Sequence, residues 1–121
     1  MLNCLIVGLG GFIGSVLRYL ISMIPVKNDH SFPIHTFIIN IVGAFVIGCI
    51  VAAVAKNKNI DPNLVLFLKV GICGGFTTFS TFSLEASNLM KSGHVGIALS
   101  YVILSVVLGI VAVFAAQYLI K

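Results

Sequence analysis

Ten consecutive residues, Gly74-Gly75-Phe76-Thr77-Thr78-Phe79-Ser80-Thr81-Phe82-Ser83, set five hydroxyls and three phenylalanines inside an otherwise apolar stretch. Hydroxyl groups donate hydrogen bonds, and the edge of an aromatic ring is the positive part of its quadrupole. Together they suit a small anion where no cationic side chain is at hand. Phe79 and Phe82 are three apart, so they share a face wherever the run is helical. Core packing is the usual reason for such a pair, and both readings stand at this point. Glycines beside threonines also weaken a helix. The run is therefore expected to interrupt regular structure at a depth where lipid offers no hydrogen bonds.

Few other residues have chemical potential. Asn40 lies among Phe37, Ile38, Ile39, Ile41 and Val42, where an unpaired carboxamide is costly. It either bridges two helices or lines an ion path. Tyr101 and Ser105 are four apart and lie one above the other on a helix. With Thr81 and Ser83 they extend a track of hydroxyls, or each is simply satisfied at a helix contact. Arg18 is placed to attract anions, to pair with Glu85, or to anchor at the membrane surface. No Ser-His-Asp or Cys-His pattern and no paired carboxylates occur, while His30, His35 and His94 fall in connections or at segment ends. Enzymatic function is not expected. Cys4, Cys49 and Cys73 lack partners at metal-ligand spacing and read as small hydrophobes. The run Gly8 to Gly14 has neither the spacing, the strand context nor the acidic residue of a dinucleotide-binding turn.

The elements that must position these residues are membrane spans. Of 121 residues, 60% are hydrophobic and only 8% charged, whereas a soluble domain has about a quarter of its residues charged. A chain this small could not hide so much apolar surface from water. Four apolar segments, about 2–24, 34–55, 64–90 and 95–120, each supply the ~20 residues that cross a bilayer. We read the chain as all-α, one transmembrane domain over 1–121, with four helices and the third broken mid-membrane. The N-terminus lacks a basic leader and a small-residue cleavage site, so it reads as a span and not a signal peptide. The +4 charge is scattered singly at segment ends with no basic patch, which argues against nucleic acid.

Four crossings place Lys56, Lys58, Lys69 and Lys121 toward one side and Arg18, Lys27 and Lys91 toward the other. So small a bias gives the positive-inside rule little to act on, which leaves either insertion both ways up, as an antiparallel homodimer, or a single orientation fixed by one cation. Gly10 and Gly14, and likewise Gly71 and Gly75, form small-xxx-small faces for close helix approach, with further thin spots at Gly8, Gly11, Gly43, Gly48 and Gly109.

These residues resemble the Fluc/CrcB family of small bacterial fluoride channels over essentially the whole length. The likeness rests on Leu17-Arg18-Tyr19, on Thr36-Phe37 leading to Asn40, and above all on Gly74 to Ser83 followed by Glu85. The resemblance implies an antiparallel, dual-topology homodimer in the bacterial inner membrane. Two pores at its interface would pass fluoride out of the cytoplasm. By the same resemblance Asn40, Phe79, Phe82, Thr81, Ser83, Tyr101 and Ser105 would line the pores, and Arg18 a vestibule. A structural sodium ion would rest on the backbone carbonyls of Gly74 and Thr77 from each subunit, and no organic cofactor is implied. Two alternatives come from other classes. One is a four-helix multidrug or cation exporter, disfavoured because no carboxylate lies in the first, second or fourth segment. The other is an assembly subunit that transports nothing.

Overall fold

A computed structural model describes residues 1–27 and 31–120. The expectations that involve Asp29, His30 and Lys121 lie outside those residues. The described chain is all helical, with four helices long and apolar enough to cross a bilayer. They are α1 (Leu2–Ser22), α2 (Ile34–Lys56), a composite span over Pro62–Lys91, and α6 (Val95–Leu119). The composite span comprises α3 (Pro62–Val65), a π-helical stretch π1 (Leu66–Cys73), α4 (Gly74–Phe76) and α5 (Phe79–Lys91). Its mean hydropathy is 1.5 against 2.7 for α2 and α6, because the hydroxyl run falls within it.

Local chemistry sets the ends. Asp61 caps α3 by accepting from Asn63 N–H at 2.9 Å, and Pro62 fills the first position, where a missing N–H costs nothing. At the other end of the span Gly93 takes a positive φ of 89°. That left-handed residue lets His94 N–H reach back to Leu89 O at 2.8 Å, closing α5 with a Schellman-type stop.

Packing divides the molecule in two. On one side α1 lies against π1 and α4, and on the other α2 lies against α6. The α1 contact is backbone on backbone. A methyl on Gly10 would come within 2.6 Å of Phe67 O and 2.8 Å of the Gly71 Cα, and one on Gly75 within 2.6 Å of Gly11 O. The two glycine pairs of the sequence thus face one another. Gly43 on α2 performs a similar service, because a side chain there would run into the Thr77 methyl.

A small core forms where α5 meets α6. Ala86, Leu89, Ala98 and Tyr101 are buried together, and Phe32, Phe37 and Phe82 pack around them. The rings make a chain: Phe37 to Phe32 at 5.3 Å between centroids, Phe32 to Tyr101 at 5.4 Å, Tyr101 to Phe82 at 5.0 Å, and Phe82 to Phe79 at 5.9 Å. The series leads from the first loop to the surface, where Phe79 is 78% exposed.

Candidate functional site

Between α4 and α5 the backbone of Thr77 (φ −79°, ψ 155°) and Thr78 (φ −147°, ψ 123°) is extended. Extended residues forfeit helical hydrogen bonds, and their replacement defines the site. In a regular helix Thr78 N–H would donate to Gly74 O. Here it donates to Asn40 Oδ1 at 2.8 Å, and Asn40 Nδ2 donates in return to Thr78 O at 3.0 Å. One carboxamide on α2 so serves both backbone groups of Thr78. From the opposite side Arg18 Nε, on α1, donates to Gly75 O at 3.2 Å. Thr77 Oγ1 donates to Cys73 O at 3.0 Å, and Thr78 Oγ1 caps α5 by accepting from Thr81 N–H at 3.3 Å.

Two of the carbonyls in this turn give up their usual donors to side-chain oxygens. Gly74 O loses Thr78 N–H to Asn40, and Thr77 O loses Thr81 N–H to the Thr78 hydroxyl. A buried carbonyl oxygen in that condition needs a cation, water or a donor from another chain.

Beside the extended pair opens a cleft of ≈ 420 Å³. Its polar lining is Asn40, Thr77, Thr78, Ser105 and Lys69, its rings are Phe79 and Phe82, and Gly43, Ala44, Ile47, Cys73, Gly74, Val106 and Val113 complete it. Asn40 still has a second amide N–H, because the pairing with Thr78 O uses one. The Ser105 hydroxyl is shielded and has no hydrogen-bond partner among the described residues. Asn40, Phe79, Phe82, Ser105, Gly74 and Thr77 are therefore gathered in one place, from α2, the composite span and α6.

The other residues singled out by sequence lie elsewhere. Tyr101 is fully buried behind Phe82 and donates its hydroxyl to Glu85 Oε1 at 3.0 Å. Thr81 is half-buried on α5, Ser83 is exposed, and neither lines the cleft. Arg18 does not take up the pairing with Glu85 that its position allowed: its Nε goes to the Gly75 carbonyl, while Glu85 is held by Tyr101. Two participants were missed from sequence. Thr78 had no role beyond the motif, though threonine before a helical run is an N-cap signal. Lys69 was counted as an end charge, although it is four residues from Cys73 and thus near it on a helix surface.

Comparison with known proteins fits this arrangement of spans. A protein-family model described as CrcB-like protein, Camphor Resistance (CrcB), matches residues 5–117. Three relatives carry the name fluoride-specific ion channel FluC. That of Agrobacterium fabrum is 45% identical over 116 residues, covering 95% of this chain and 93% of its own. That of Azobacteroides pseudotrichonymphae is 41% identical over 115 residues, covering 94% and 92%. That of Clostridium perfringens is 43% identical over 122 residues, covering 100% and 95%. A match that runs through all four spans, at such identity and coverage, leaves no segment of the described fold outside it: the chain belongs to the CrcB family.

Proposed function

We propose that this protein is a fluoride channel of the bacterial inner membrane that lets fluoride leave the cytoplasm passively and so relieves its toxicity. As a member of a channel family it is a transporter and not an enzyme. The observation that carries the reading is the meeting of Asn40, Phe79, Phe82 and Ser105 in one cleft beside Thr77–Thr78. The name borne by the relatives supports fluoride as the ion.

The working unit in this reading is an antiparallel homodimer in which the whole chain, 1–121, acts as one transmembrane domain and the third helix is broken mid-membrane. Support comes from the near-balanced loop charge, which permits both orientations, and from the openness of the cleft, where Phe79 stands 78% exposed as if awaiting cover. Two pores then run along the interface. Fluoride is strongly hydrated, so a narrow pore must replace its water with donors that approach closely. The second N–H of Asn40, the Ser105 hydroxyl and the ring edges of Phe79 and Phe82 are such donors. None carries full charge, which keeps binding weak enough for release. Thr81, Ser83 and Tyr101 continue the polar track away from the cleft, and Arg18 holds a vestibule.

A sodium ion fits the same region. Gly74 O and Thr77 O are carbonyls deprived of helical donors, and hard cations prefer oxygen ligands. Drawn from both copies, they would hold the ion at the centre of the dimer, where its charge would tie the two extended segments together.

Efflux from liposomes tests the proposal. With purified protein reconstituted, a fluoride electrode should record rapid loss of fluoride while chloride stays inside. Silence from well-folded protein would overturn it, and proton-coupled export would be the next assay.

A further inference from the structure

Lys69 is the cation that the channel reading leaves without a task. It lies on π1, about seven residues into the span Pro62–Lys91, or about 10 Å along the axis at helical rise. It lines the cleft with Asn40, Thr77, Phe79 and Phe82, and no other lysine, arginine or carboxylate does so among the described lining residues. The Lys69 side chain is exposed, so its flexible stem carries the ammonium on an open face of the span. The described acids near the composite span are engaged elsewhere: Asp61 accepts from Asn63 N–H, and Glu85 from the Tyr101 hydroxyl. Arg18 is on the far side of the span, donating to Gly75 O.

We propose that the Lys69 ammonium is the anion-collecting charge of the cleft. Apolar walls such as Ile47, Val106 and Val113 focus the field of a single charge into the opening and raise the local anion concentration. A lysine suits that role because its charge sits on a flexible, well-hydrated stem and attracts without clamping. The device acts on arrival of the ion, before Asn40 and the two rings select it. In an antiparallel pair it stands at both membrane faces, so it acts equally on inward and outward flow. The inference rests on the channel reading and deepens it.

The test is fluoride efflux from liposomes bearing wild type, Lys69→Gln or Lys69→Arg, with ionic strength set by a salt of a large organic anion. At about 0.01 M the Debye length is roughly 30 Å, and at about 1 M roughly 3 Å. Lys69→Gln should be slower than wild type by roughly two- to threefold at the low value, the scale of one unit charge acting through water over about 10 Å. The gap should close at the high value, with fluoride preference over chloride unchanged. Lys69→Arg should follow wild type. A Lys69→Gln rate equal to wild type at low salt, or a deficit that persists at high salt, overturns the proposal, as does an arginine variant as slow as the glutamine one. Should neither variant fold, wild type decides alone: its rate must fall as salt rises, and a flat profile overturns the proposal. Silent wild-type liposomes overturn the channel reading and this proposal together, whereas conducting wild type with salt-insensitive variants overturns only this one.

Discussion

The two faces of the composite third span are built on opposite plans. Toward α1 the span is sealed: Gly10 meets Gly71 and Gly75 meets Gly11, backbone against backbone, with no room for a methyl on Gly10, Gly71 or Gly75. Toward α2 and α6 it is open, and side chains reach across to an extended backbone that has left its own hydrogen bonds. The closed face makes the open one affordable. Helices in lipid gain little from burying apolar groups against each other, so close packing and hydrogen bonds must hold them. Glycine packing clamps Gly71 to Gly75 to a rigid neighbour, and Thr77 and Thr78 can then stay extended without loosening the bundle.

That contrast can be broken by mutation. The largest effect belongs to the open face. Asn40→Ala leaves Thr78 N–H and C=O unpaired, and at about 1–3 kcal/mol for each such buried group stability should drop by about 2–6 kcal/mol. Denaturation of purified protein in detergent reads this, and a loss below about 1 kcal/mol would mean that water replaces the amide and α2 is no clamp. Next comes the closed face. Gly10→Ala puts a methyl into Phe67 O and the Gly71 Cα and should cost about 1–3 kcal/mol by overpacking. Unchanged thermal stability there would show that α1 can simply move away.

Phe79→Ile separates the plans most cleanly. With Phe79 78% exposed in the single chain, stability should stay within about 0.5 kcal/mol. Fluoride flux, however, should fall about tenfold, the equivalent of one lost ring-edge contact of about 1.4 kcal/mol. Normal flux from this variant sinks the aromatic role. Smallest of all is Gly8→Ala. It lies on α1 but off the contact face, with nothing within 4 Å of an added methyl. Its stability should hold within about 0.5 kcal/mol, and a larger loss would show that the sealed face extends beyond Gly10, Gly11 and Gly14.

The four spans were readable because hydropathy and length are properties of the segment alone. Glycine pairs were readable for a similar reason, since spacing puts them on one face whatever they meet. Gly-Gly and Thr-Thr mark a run where helix is weak, and within it Thr77 and Thr78 alone are extended. Nothing in Leu66 to Cys73, however, marks π-helical winding: the residues are ordinary apolar ones around Lys69 and Gly71. This stretch is also the part of the span that packs backbone to backbone on α1. Asn40 was recognised as costly, but the sequence left bridge and ion path open, and its bond to Thr78, 38 residues away, is a tertiary fact. The partner of Glu85 was left open for the same reason. Arg18 has the opposite charge, yet Tyr101 stands closer in the fold and Gly75 O claims the guanidinium.

The two side chains that reach Gly75 and Thr78, Arg18 and Asn40, both precede them in the chain. Synthesis delivers α1 and α2 first, so a donor and a carboxamide are already made when Gly74 to Thr78 emerges. A segment that bare lipid would reject for its unpaired backbone thus meets its partners as it enters. Helix order is part of the insertion programme: a permuted chain that began at Pro62 would present the same span with nothing yet in place to receive it.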